Sequence, residues 1–89
     1  MTWRIEWDDR AVKELRKLPP AARRDIFRYF AARVEGKANP RAQGKPLKGE
    51  LAGFWRYRVG DYRVLCRLED DVLVVFVAAI GHRKDIYRS

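Results

Sequence analysis

The run Val72-Leu73-Val74-Val75-Phe76-Val77-Ala78-Ala79-Ile80 is apolar at all nine positions, and it limits the fold more than any other stretch of the chain. It is too short to cross a bilayer, which takes roughly 18 or more such residues. It shows no in–out alternation, so it predicts a strand in the middle of a sheet, covered on much of both faces. Asp70-Asp71 turns the chain into it, and Gly81 is expected to break it.

A central strand needs neighbours, and the sequence offers them nearby. Phe54 to Val59 alternates in the manner of a strand, and Gly60-Asp61 is a two-residue hairpin turn. A turn there pairs Val59 with Tyr62, Arg58 with Arg63 and Tyr57 with Val64. Tyr57, Val59, Tyr62, Val64, Cys66 and Leu68 then share the face that meets the rest of the domain. Arg56, Arg58, Arg63 and Arg67 share the other face with Leu65. Arg58 lies directly across from Arg63, and like charges in that position destabilise a sheet. Either solvent screens them or an anion belongs between them.

Trp3, Ile5 and Trp7 alternate with polar residues and predict a first strand. Asp8 or Asp9 supplies a helix N-cap, and Val12, Leu15 and Leu18 recur at helical spacing. Pro19-Pro20 ends that helix and starts a second one, since proline suits a first helical turn. The second helix is expected over 20–35, with Ala22, Ile26, Tyr29, Phe30 and Val34 as its apolar stripe and Gly36 as its C-terminal cap. Its outlying arginines, Arg23, Arg24, Arg28 and Arg33, read as a solvated face or an auxiliary anion-binding face. Residues 37–53 carry three Gly and two Pro and read as a long basic loop pinned by Leu47 and Leu51. The expected fold is α+β: a single domain over 1–89 in the order β-α-α-β-β-β, with two helices on one face of a small, mostly antiparallel sheet.

Composition narrows the function. The 89 residues bear 20 Lys+Arg against 12 Asp+Glu, a formal charge of +8, which calls for an anionic partner: a nucleic acid, an acidic protein or a membrane surface. A chain of this length buries only about 60–65% of its unfolded surface, which leaves little room for a deep cleft. The single cysteine, Cys66, rules out an internal disulfide and reads as a buried inert thiol. With one His and one Cys, a zinc site of the usual ligand types is not expected, nor is any other cofactor. No signal or membrane segment is read, and a cytoplasmic location is expected.

The closing GHRKDIY brings His82, Arg83 and Tyr87 next in chain to the arginine face. Histidine titrates near neutrality, and cationic neighbours lower a tyrosine pKa. A ribonuclease must deprotonate a 2′-hydroxyl, protonate the leaving 5′-oxygen and hold the charge that builds on phosphorus. Arginine forks suit phosphate. Phe54 falls on the same face by alternation, where it stacks a base or joins the core. From the residues alone the reading stops at a basic α+β domain with an arginine face and a candidate acid/base pair.

The sequence resembles the RelE family, within the RelE/ParE superfamily of toxins from bacterial toxin–antitoxin pairs. The resemblance is carried by D-x-R-A-x-K-E-L-x-K-L (Asp8 to Leu18), P-L-K-G (Pro46 to Gly49), F-W-R-Y-R-V-G-D-Y-R (Phe54 to Arg63) and G-H-R-x-x-I-Y (Gly81 to Tyr87). It implies a metal-independent endoribonuclease that enters the ribosomal A site and cuts mRNA by 2′-hydroxyl attack. Carried over by motif, the functional positions are Arg56, Arg58, Arg63, Arg83 and Tyr87, with Lys48 as a further basic position. Some relatives have lysine where this chain has Arg56 and Arg58. Arginine does not shed its proton, so the base is Tyr87, His82 or a water oriented by the guanidinium groups; we favour Arg58, Arg63 and Arg83 as charge stabilisers and Tyr87 or His82 for proton transfer. Lys48, Phe54, Arg56 and Arg67 are the expected RNA contacts. The family also implies an acidic antitoxin partner and a toxin–antitoxin hetero-oligomer. The rival readings are a ParE-like inhibitor of DNA gyrase, a nucleic-acid-binding module without chemistry, and an inactive toxin.

Overall fold

The structure is a computed structural model and describes residues 2–36 and 39–82. Five strands form one sheet in the order β1-β5-β4-β3-β2. They are β1 (Arg4–Trp7), β2 (Lys45–Pro46), β3 (Trp55–Val59), β4 (Tyr62–Glu69) and β5 (Val74–His82), with α1 (Asp9–Arg16) and α2 (Pro20–Arg33) between β1 and β2. β1 runs parallel to β5, and every other pair is antiparallel. The α+β expectation therefore holds, with one more strand than expected.

The hairpin closes in the expected register: Val59 faces Tyr62, Arg58 faces Arg63 and Tyr57 faces Val64. Gly60 takes φ 58°, the left-handed conformation a tight hairpin turn requires.

β5 departs from the expectation in two ways. It begins at Val74 rather than Val72 and continues through Gly81 to His82. Leu73, at φ 53°, belongs to the turn, and Val72 is 60% exposed. Gly81 does not break the strand but pairs with Arg63. The strand also carries a bulge: Leu65 faces Ala79 and Cys66 faces Val77, which leaves Ala78 over. The bulge resets the phase, so Val75, Val77 and Ile80 all enter the core. A regular strand would have sent Ala79 there in place of Ile80.

The core lies between the helices and one sheet face. It joins Trp3, Ala11, Leu15, Ile26, Phe30 and Val34 to Tyr57, Val59, Val64, Cys66, Val75, Val77 and Ile80. On α1 the buried pair is Ala11 and Leu15 rather than Val12 and Leu15, since a small residue lets the helix approach β5. β1 ends opposite Val77, so beyond that point β5 has no strand on this side among the described residues. The Glu14 carboxylate takes over and accepts a 2.9 Å bond from the Ile80 amide. α2 closes at Gly36 (φ 74°), whose amide donates to the Trp3 carbonyl at 3.0 Å.

Residues 39–53 are more ordered than a plain loop. They hold 3-10 turns at Pro40–Ala42 and Gly49–Leu51 around the two-residue β2. Leu47 and Leu51 are only half-buried and stand outside the core. The pin is Pro40, which is fully buried and accepts a 2.6 Å bond from the Tyr57 hydroxyl. At Gly44 a Cβ would collide with the Trp55 indole and the Arg56 carbonyl, so only glycine lets this segment lie against β3.

Candidate functional site

The sheet face turned away from the helices carries the arginines. Strand alternation puts Arg56 and Arg58 of β3 and Arg63 and Arg67 of β4 there, while Tyr57, Val59, Val64 and Cys66 go to the core. The register then arranges this face in rows. One row reads Arg58, Arg63, Gly81 across β3, β4 and β5, and the next reads Lys45, Arg56, Leu65, Ala79 across β2 to β5. Leu65 and Ala79 are buried and form an apolar floor. Gly81 has no side chain, so among the described residues no β5 side chain stands beside Arg63 in the first row. Arg58 is exposed and Arg63 half-buried. The Nε of Arg63 is buried and makes no hydrogen bond among the described residues. Cross-strand neighbours of this kind stand about 5 Å apart at Cβ, close enough for both forks to hold one phosphate group.

Arg67 is placed differently. It lies about 13 Å farther along β4 than Arg63. Its guanidinium sits 5.0 Å from the centre of the Phe76 ring, and its Nε is 3.9 Å from Glu69. Arg67 therefore belongs to the opposite end of the face. Phe54 precedes β3 and is half-buried outside the core, so of its two readings the core one is excluded. Lys48 is exposed at the start of the second 3-10 turn.

His82 is the exposed last residue of β5. It pairs with Tyr62, and the two rings meet edge-on at 5.9 Å. Tyr62 packs against the core side, so His82 leaves the strand on the helix side, opposite the arginines. Arg83 and Tyr87 lie outside the described residues. Burial pushes the Cys66 thiol up, in keeping with an inert structural role, and burial likewise raises Tyr57. Neither group is available for proton transfer near neutral pH.

The sequence reading missed a second clustering at the far end of the sheet. Arg41 makes a two-pronged contact with Asp70, at 3.0 and 2.9 Å, and lies 5.7 Å from the centre of the Trp55 ring. The Arg41 bond holds the Asp70 carboxyl below its ordinary range. No spacing rule links positions 41 and 70.

A small basic domain with this sheet, this helical pair and this arginine end has the build of a type II toxin, and comparison with known proteins agrees. The family model for the ParE toxin of the parDE type II toxin–antitoxin system matches residues 5–87. Toxin RelG of Mycobacterium tuberculosis is 38% identical, with 99% of each chain covered. The mRNA interferase toxin RelE of Escherichia coli K12 is 31% identical over 94% of this chain and 86% of its own. Among solved structures, the RelBE2 toxin–antitoxin complex of M. tuberculosis matches with a TM-score of 0.84 at 30% identity, covering 96% of this chain and 95% of that one. The chain belongs to the RelE family of toxins, within the RelE/ParE superfamily.

Proposed function

We propose that this chain is a ribosome-dependent endoribonuclease that cuts mRNA in the ribosomal A site by 2′-hydroxyl attack. The observation that carries the reading is the Arg58–Arg63 pair beside Gly81. Two cations face each other across the hairpin, and among the described residues neither is paired with a carboxylate. A phosphodiester seated over them supplies the missing charge, and the charge that builds on its oxygens in the transition state strengthens the contact. Arg56 and Lys48 extend the track for the RNA backbone, Phe54 offers a ring to a base, and Arg83 adds a further cation.

Arginine cannot be the base. His82 points to the helix side, so we assign proton transfer to Tyr87. Tyr87→Phe retaining full cleavage would remove that assignment. Among the described residues the site is an open face rather than a cleft, which supports a dependence on the ribosome to hold the message in line. A toxin of this family is paired with an antitoxin, and the +8 charge fits an acidic one in a hetero-oligomer. The E. coli relative is named an mRNA interferase, which supports the ribonuclease reading over gyrase poisoning.

The test is primer extension on a reporter mRNA in a reconstituted translation reaction, with and without ribosomes. Cuts within A-site codons only when ribosomes are present are expected. An intact message in both reactions would turn attention to a gyrase assay, because the matching family model is that of ParE toxins.

A further inference from the structure

The strongest unassigned feature is at the β2 edge of the arginine face. β2 is the terminal strand on that side of the sheet. Lys45 lies directly across from Arg56, and Pro46 across from Trp55. Directly opposed residues share a face, so Lys45 joins the arginines. It is exposed and, among the described residues, makes no ion pair. The second row therefore opens with a like-charge pair, as the first does with Arg58 and Arg63. Lysine and proline on an edge strand deter unwanted pairing. A charged glutamate at 45 would also blunt the edge, and it would attract Arg56 rather than repel it.

A second unfavourable feature lies in the way β2 is held. Gly44 packs so closely on Trp55 that a Cβ there would collide with the indole. The indole Nε1 is buried, with no hydrogen-bond partner among the described residues, and a buried donor left unpaired costs stability. The Leu47 amide donates to the Phe54 carbonyl at 3.0 Å, and the Tyr57 hydroxyl holds Pro40. Lys45 thus stands on a short strand fixed from both sides. Local rules are broken around adjacent residues, 44 and 45, and such breaks concentrate at functional positions.

We infer that Lys45 is a further RNA contact: with Arg56 it holds the phosphate next to the one seated over Arg58 and Arg63. The two like-charge pairs are one row apart along β3 and one strand apart across the sheet, so their centres lie about 8 Å apart on a diagonal. Lysine and arginine side chains are long enough to close that gap to the separation of successive phosphates in an extended single strand. The RNA backbone then runs obliquely from β4 across β3 towards β2. Lys48 stands past the end of β2 and outside both rows. The phosphate held by Lys45 is not the reacting one, so the contact is made equally in the ground state and in the transition state. It strengthens binding without accelerating the cut. The inference rests on the RNA-binding part of the reading above and not on the cleavage chemistry.

The experiment compares Lys45→Ala, Lys45→Glu and Lys45→Arg in the full chain. Binding to a short single-stranded RNA is titrated at several salt concentrations, and cleavage kinetics are read on ribosomes programmed with a synthetic message. Lys45→Ala is expected to weaken RNA binding about tenfold and to reduce the slope of log affinity against log salt by about 0.7. KM should rise by a similar factor with kcat near wild type. A methylphosphonate that removes the charge of one phosphate neighbouring the cut, placed in turn on either side, should raise KM for the wild type on one side and leave Lys45→Ala unmoved there. Lys45→Glu should bind RNA more weakly still, while its melting temperature stays at or above that of the wild type, because a carboxylate there faces Arg56. Lys45→Arg should bind as the wild type does. Wild-type RNA affinity and KM in both Lys45→Ala and Lys45→Glu overturn the inference. So does a loss of binding matched in both by a fall in melting temperature, or an equal response of wild type and Lys45→Ala to each neutralised linkage. If the wild-type chain binds RNA and cuts nothing, the cleavage reading fails and the salt slopes decide the inference by themselves. Failure of the wild-type chain to bind RNA, on or off the ribosome, overturns the RNA reading of the face and the inference with it.

Discussion

The two ends of the arginine face use the same residue in opposite ways. At the far end, Arg67 stacks on Phe76 and reaches Glu69, and Arg4 bonds Glu6 at 3.1 Å. Close by, across the β4–β5 turn, Asp70 holds Arg41 in two bonds. At the hairpin end, Arg58 and Arg63 face each other, and among the described residues neither has a carboxylate partner. A cation that is paired inside the protein has its field spent there. A cation set against another cation keeps its field for something outside. Under the proposed function, the contrast fits a far end that holds the fold and a hairpin end that holds a ligand.

The largest expected effect breaks the contrast at the hairpin end. Arg63→Ala should lower cleavage by roughly 100- to 1,000-fold, the range for removing one fixed group that stabilises transition-state charge. Its thermal stability should not fall, because among the described residues the buried Nε of Arg63 has no hydrogen-bond partner and the substitution relieves the like-charge pairing with Arg58. Arg67→Ala should change cleavage far less. Equal losses in the two variants, measured by primer extension on the same message, would mean that the two ends do not differ.

The next effect concerns how the hairpin end is held. Glu14 caps the Ile80 amide where β5 outruns β1, and Gly81 follows directly beside Arg63. Glu14→Ala leaves a part-buried amide without its acceptor, at a cost of about 1–3 kcal/mol. Denaturant melts would report that loss. Exchange protection should drop first at Ile80 and Gly81 and last at the Glu69 end of β4. Uniform loss along both strands would show that Glu14 holds the sheet as a whole.

A smaller effect has the opposite sign. Arg58→Ala removes a like-charge cross-strand pair and should stabilise the domain by about 0.2–1 kcal/mol while weakening RNA binding. Added salt should shrink the gain, since screening already relieves the wild type. A destabilised Arg58→Ala would show that the pair is not repulsive in the folded protein.

How much of the fold is legible in the sequence depends on which signals carry phase. The hairpin is legible because Gly60-Asp61 fixes the turn and alternation fixes both faces, so the Arg58–Arg63 pairing follows from the residues alone. The run from Val72 to Ile80 is legible as a strand but not in its placement. A run that is apolar throughout has no phase, so nothing in it marks the bulge at Ala78 or the passage of two residues into the turn. Gly81 has the propensity of a breaker, whereas pairing with Arg63 keeps it in the ladder. β2 is two residues long and contains a proline, below what any periodicity detects. His82 is a neighbour of the arginines in the chain, and strand alternation after the bulge sends it to the other face.

The smallest effect tests the far end by pH. The Arg41 bond depresses the Asp70 pKa in the folded protein. A depressed carboxylate pKa means that the unfolded chain binds the proton more readily. The contribution to stability is thus fully present above the unfolded value, near 3.9, and is lost as pH falls through the lower folded value. Asp70→Asn should therefore lower the denaturation midpoint slightly at pH 7, and the difference from wild type should vanish in acid. Asp70 is exposed, so salt should also reduce the difference. Under the proposed function the same substitution should leave RNA cleavage unchanged, because the Arg41–Asp70 contact lies at the other end of the sheet from the Arg58–Arg63 pair. A loss of cleavage in Asp70→Asn with little change in stability would mean that the 39–53 segment, with Lys45 and Lys48, is aimed at the message from the far end. The division of labour between the two ends would then be incomplete.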